Sequence, residues 1–355
     1  MMLPFDASHS SDIINYYYTN YSSCPKNPSF FATWQFLSLS THGILIIQLP
    51  LVAFTAYCII LKTPKAMGSL RWAMLNVHVW STLLDVLMCS LVTPYIFFPT
   101  LSGITLGLLS AIGVPTSVQC YISLVSMGFM FNSIGALFEN RSSSFKMNRF
   151  RFERNSTRFL FFLSSGTVTA VFLLPLFFNL PDQDYAKLWV LKKYYPCPTE
   201  EFFEFPVFVL LIDRFWGYYM AIVLIAQFLW VWSAILFFIG CVTYHMYFLD
   251  VSNYSSQTKR YQRTFFIGNL LQIAIPSIFW AAPGFLIIFM YFFPIYNQSF
   301  NNCGVSFVTI HGLASMIVTL LIHHPYRSFI WKMMGVDVGG KKKIEKKSSL
   351  NPVVI

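Results

Sequence analysis

From Thr264 to Tyr326 the chain runs for 63 residues without one Asp, Glu, Lys or Arg. Four further charge-free runs cover residues 27–61, 86–138, 159–181 and 215–249. A helix that crosses a bilayer needs about 20 predominantly apolar residues. Three of the runs are therefore long enough for one span each, and the two longest for two. Hydrophobic residues make up 56% of the chain and charged residues only 11%, where a soluble domain carries roughly a quarter charged. These figures exclude a soluble enzyme, a disordered chain and a nucleic-acid partner.

The expected fold is an all-α membrane protein, a bundle of seven transmembrane helices. Their cores are read as His42–Leu61, Trp72–Phe98, Gly113–Phe138, Phe159–Leu180, Trp216–Tyr247, Phe265–Phe293 and Val305–Ile322. The second loop, residues 99–112, is apolar enough to lie in the interface, and Phe205–Ile212 is apolar but too short to cross. Residues 1–39 form an N-terminal segment, 40–323 the transmembrane domain, and 324–355 a tail. The N-terminal segment has neither a basic start nor a short apolar stretch, so the first helix is expected to act as an uncleaved signal.

Alternation of basic residues orients the bundle. The first, third and fifth loops and the tail together carry 19 Lys and Arg, whereas the N-terminal segment and the intervening loops carry five. Positive charge stays on the cytoplasmic side. The N-terminus is therefore placed outside and the C-terminus in the cytoplasm, and the clean partition supports the count of seven.

Within the spans there is one acid, Asp85, and no base. An Asp at a helix centre costs on the order of 2.5–3.5 kcal/mol on insertion scales, so a function or an inter-helix hydrogen bond must offset it. A relay transporter needs several such groups, and no cofactor or metal set is suggested. Of seven cysteines, Cys24, Cys197 and Cys303 are outside by this topology, and Cys120 lies in the outer half of span 3. Cys24–Cys197 is the expected disulfide, because both flank prolines in wet loops, with Cys120–Cys197 as the alternative. Among five Asn-x-Ser/Thr sequons only Asn20 and Asn297 face outward, and Asn20 is the expected glycan site.

At the inner end of span 3, Glu139-Asn140-Arg141 reads either as a snorkelling pair or as a latch between two states. After span 7, Tyr326, Phe329, Ile330 and Met333 recur at helical spacing between Pro325 and Gly335, which predicts a short amphipathic helix on the inner leaflet. The tail's Lys341, Lys342, Lys343, Lys346 and Lys347 suit anionic lipid. Candidate ligand contacts are the polar and aromatic side chains of the outer halves: Gln119, Ser123, Tyr218, Tyr219, Gln272, Trp280 and His311.

Several local patterns converge. They are Tyr57-Cys58-Ile59-Ile60-Leu61-Lys62-Thr63-Pro64 with Met67, His78, Trp80 and Asp85, then Pro94-Tyr95-Ile96-Phe97-Phe98-Pro99 and Phe138-Glu139-Asn140-Arg141. Tyr195-Pro196-Cys197, His311-Gly312 and Pro325-Tyr326-Arg327 complete the set. In this order and over nearly the whole length, the chain resembles the nematode serpentine receptors of class H. That resemblance implies a G-protein-coupled chemoreceptor for a small environmental molecule in the plasma membrane of a sensory neuron. Its partners would be an odorant-like ligand, a heterotrimeric G protein and lipid. Asp85, Glu139, Arg141, Pro325, Tyr326 and Arg327 would then serve switching and G-protein coupling. Span 7 lacks the Asn-Pro-x-x-Tyr of rhodopsin-like receptors, and span 6 has Trp280-Ala281-Ala282-Pro283 in place of Cys-Trp-x-Pro. A channel or transporter of the same topology is the competing class; it would need polar rings or paired charges along the spans.

Overall fold

The computed structural model describes residues 10–25, 28–64, 68–248, 256–293 and 295–335. In chain order its helices are α1 (Ser11–Thr19), α2 (Trp34–Lys62), α3 (Gly68–Val86), α4 (Leu108–Ala111), α5 (Thr116–Ser143), α6 (Asn155–Phe178), α7 (Gln183–Lys193), α8 (Glu201–Glu204), α9 (Arg214–Thr243), α10 (Ser256–Phe292), α11 (Gln298–Ile322) and α12 (His324–Met333). Three short strands, β1 (Pro94–Ile96), β2 (Ser102–Thr105) and β3 (Phe208–Val209), form one antiparallel sheet in that order. Seven of the helices, α2, α3, α5, α6, α9, α10 and α11, are long and apolar enough to span a membrane.

Side-chain caps set several boundaries. Thr33 accepts the Phe36 N–H at the start of α2, and Asp213 accepts the Phe215 N–H at the start of α9. Asn297 does the same for Phe300 at α11. Each cap satisfies an N–H that has no partner inside its helix. The second span differs from its expected extent. It passes through a π-turn at Leu87–Leu91 and stops there, not at Phe98. Pro94 has no N–H to continue the ladder and disfavours helical backbone at the preceding residue; Thr93 adopts φ 44°. The chain leaves the helix as β1, and the apolar second loop returns as β2.

The sheet adds β structure to an otherwise helical bundle. Tyr95 opposes Ile104, and Gly103 opposes both Ile96 and Phe208. Because side chains alternate across a strand, its two faces bury different things. Tyr95, Phe97 and Val209 point into an outer aromatic core with Tyr16, Tyr21, Tyr195, Phe202 and Phe203, contributed by α1, α7, α8 and the turns beside them. A disulfide joins Cys24 to Cys197 across this cap. Buried hydroxyls are paired there. Tyr195 Oη lies 2.5 Å from Thr100 Oγ1 and 2.9 Å from Ser102 Oγ, and Tyr95 Oη donates to the Ala32 carbonyl at 2.5 Å. The first turns of α11 stitch the cap to the bundle: Gln298 donates to the Ile96 carbonyl, Asn301 to Phe98, and Asn302 to Phe31 and Thr33.

On the opposite side of the bundle, α12 docks under α2 and α3. Pro325 starts it, Tyr326 is buried, and its hydroxyl lies 2.6 Å from Thr63 Oγ1. Lys62 Nζ stands 4.0 Å from the centre of the Phe329 ring. Arg327 donates to the Leu321 carbonyl. The lysine cluster at 341–347 lies outside the described residues.

Candidate functional site

Beneath the sheet lies a cavity of about 300 Å³, bounded by α3, α5, α9 and α10. The sheet is its roof: Pro94, Ile96, Phe98, Gly103 and Phe208 line it. Leu84, Met88, Leu124, Met127 and Met220 form the walls, with Trp280 at the side of α10. None of the described residues that line it is charged. Methionine and leucine suit an adaptable apolar site, since the thioether chain fits irregular shapes.

The expected ligand contacts are only partly gathered here. Ser123 and Trp280 line the cavity. Gln119 is buried but spent: its amide donates to the Val114 carbonyl at 2.7 Å and to Ser110 Oγ, closing the turn before α5. Tyr218 is 66% exposed on the outer surface of α9. Tyr219 donates to the Phe172 carbonyl and ties α9 to α6. Neither faces the cavity; that wall is Met220, since each helical residue turns the side chain by about 100°. Gln272 and His311 lie deeper. Apolar residues and a roof of strands make most of the cavity, and both look like ordinary core in a sequence; the Met88, Met127 and Met220 positions are the one faint signal.

Below the cavity, Trp280 packs edge-on against His311, with ring centroids 6.0 Å apart. His311 Nδ1 sits 2.8 Å from the Val308 carbonyl and 3.3 Å from Asp85 Oδ1, so one ring nitrogen lies between two acceptors. Both side chains are almost wholly buried. Gly312 makes this approach possible, because a Cβ there would overlap the Asp85 carboxyl group. Asp85 then borders a second, smaller chamber of about 40 Å³ together with Thr55, His78, Asn269 and Gln272. The space admits about one water molecule. Gln272 donates to Thr319 at 2.5 Å, joining α10 to α11 across the chamber. Contacts thus run from the cavity wall through Trp280 and His311 to Asp85, which shares the lining of the smaller chamber with Gln272.

At the inner rim the expected Glu139–Arg141 pair is not formed. Residues two apart on a helix point to opposite sides, and Glu139 turns instead toward α6. Its fully buried carboxylate lies 2.5 Å from Arg158 Nε and accepts from Ser143 Oγ at 2.5 Å. Ser143 in turn accepts the Phe152 N–H, so the connection between α5 and α6 is folded against the clamp. Arg141 is buried on its own side of α5. Asn20, the sequon residue, is exposed at the end of α1.

Comparison with known proteins completes the picture. A family model described as serpentine type 7TM GPCR chemoreceptor Srh matches residues 32–336. Serpentine receptor class H-72 of Caenorhabditis elegans is 32% identical over 321 residues, covering 90% of this chain and 92% of that protein. No solved structure matches. Seven spanning helices, matched along nearly their whole length by one family, place the chain in the plasma membrane as a multi-pass protein, and it belongs to the Srh family of serpentine chemoreceptors.

Proposed function

We propose that the protein is a G-protein-coupled chemosensory receptor of a sensory neuron, and that its small-molecule ligand occupies the cavity beneath the sheet. The observation that carries this reading is the shared Trp280: one ring forms a wall of an apolar cavity and packs on the buried His311–Asp85 pair. A ligand that shifts Trp280 acts on the only carboxyl group among the described middle sections of the spans. A ligand changes the helix arrangement only by its differential affinity for the two states, and this contact supplies a place for that difference. The inner rim, with Glu139, Arg141 and the docked Pro325-Tyr326-Arg327 turn, is where a heterotrimeric G protein would meet the bundle. Asn20 carries the outer glycan.

The test is a screen of volatile and soluble odorants in cells that report calcium or cyclic nucleotide. Once an agonist is found, Leu124→Trp, which fills the cavity, should abolish its response with surface expression kept. Tyr218→Ala, on the outer surface, should leave the response within twofold. Equal effects of the two substitutions would remove the cavity from the reading.

A further inference from the structure

None of the described residues that line the cavity is charged. Its roof is a sheet whose upper face is itself buried under the aromatic cap, and the cap is joined by the Cys24–Cys197 disulfide and by α11 side chains. A solute in the outer water meets no polar funnel leading to it. The sides are not equally sealed. In the inner half, α9 and α10 share one apolar core through Ile235, Val242, Phe266 and Ile273. In the outer half, α9 packs its Met220, Trp216 and Val223 against α5 and α6, with no residue of α10 among the described members of that cluster. The cavity nevertheless touches both helices, through Met220 on α9 and Trp280 on α10. On α10 beyond Trp280, Phe285 is exposed and apolar, a surface that lipid tails wet.

We infer that the ligand is a neutral, lipid-partitioning small molecule that reaches the cavity from the bilayer, through the outer seam between α9 and α10. This inference rests on the cavity being the ligand site. A charged ligand is excluded by the same physics that keeps charge out of the spans: burial of an ion with no counter-charge costs several kcal/mol. An apolar solute, in contrast, is already concentrated in the bilayer and loses little on moving into the cavity. The volume of about 300 Å³ is at the small end of ligand sites, which run from about 300 to 1,000 Å³.

The test uses photolabelling of the full-length receptor in phosphatidylcholine vesicles. The probes are 3-trifluoromethyl-3-phenyldiazirine and its para-sulfonate, added from the outer side, with adducts mapped by peptide mass spectrometry. The neutral probe should label Met88, Leu124 and Met127 at least tenfold more than the sulfonate does, with Ile222 and Phe228 on the lipid face as the internal reference. Prior reduction of the folded receptor with a water-soluble phosphine should change the cavity adducts by less than twofold. Met220→Trp at the seam should lower them at least threefold relative to Leu101→Trp, which adds similar bulk at the roof. Labelling of the cavity by the sulfonate, a rise on reduction, or equal effects of the two tryptophans would overturn entry through the seam and leave the cavity standing. Labelling of the lipid face alone by the neutral probe would overturn the cavity as well.

Discussion

The Glu139–Arg158 contact lends itself to a double-mutant cycle whose outcome depends on an asymmetry in burial. Glu139 is fully buried, whereas the Arg158 side chain is 22% exposed. In Glu139→Gln the ion pair with Arg158 is lost and the Ser143 hydrogen bond is no longer charge-assisted, together worth about 1.5–3 kcal/mol, but Arg158 is free to turn its head toward water. In Arg158→Ala the carboxylate stays in the interior with Ser143 as its remaining donor. Breaking a buried pair in this sense costs about 3–5 kcal/mol, reduced here by the surviving hydroxyl. Arg158→Ala should therefore lower the melting temperature further than Glu139→Gln, and the double variant should be no worse than Arg158→Ala alone, with a coupling of about 1–3 kcal/mol. Thermal loss of the monodisperse receptor in detergent measures all three. The cycle has a functional counterpart. If the clamp holds the resting arrangement of α5 and α6, then Glu139→Gln and Arg158→Ala should both raise surface-normalised basal signalling, since a bias of about 1.4 kcal/mol changes a two-state ratio tenfold. Arg141→Ala should instead weaken G-protein activation. A larger thermal loss in Glu139→Gln than in Arg158→Ala, or strictly additive losses, would refute the burial argument.

Three further outcomes are expected. Gly312→Ala should displace the Asp85 carboxyl and cost about 1–3 kcal/mol by overpacking, and Asp85→Ala in the same chain should restore most of the thermal stability; a Gly312→Ala variant as stable as the parent would show that Asp85 does not sit where the structure has it. Burial lowers the titration of His323, at the end of α11, from 6.5 to about 4. The stability tied to its neutral form is complete above pH 6.5 and is lost as pH falls toward 4, so melting temperatures measured across that window should fall more steeply for the parent than for His323→Gln. Epitope tags should be accessible in intact cells at the N-terminus and only after permeabilisation at the C-terminus, and an exposed C-terminal tag would reverse the orientation taken from the charge partition.

Much of this protein is written along the chain because the bilayer imposes a one-dimensional rule. Charge-free runs long enough to cross, and basic residues that alternate from one side to the other, are properties of sequence order alone. They suffice for seven spans and for an orientation. Proline and cysteine in wet outer loops likewise pointed to Cys24 and Cys197, which the structure joins. Phase and partnership are different quantities. Whether Tyr218 or Met220 faces the cavity depends on the rotation of α9 against α5, and a helix apolar on every side carries no amphipathic stripe to reveal it. The partner of Glu139 is Arg158, brought close by the fold of the loop between α5 and α6 and not by spacing on one helix. The roof arose where two apolar loop segments, 94–105 and 208–209, were too short to span and so paired with each other, satisfying their backbone groups as β-sheet. Insertion into the membrane is decided segment by segment, so the sequence determined it; the cavity, its roof and the Trp280–His311–Asp85 contacts depend on how those segments pack, so only the tertiary structure decided them.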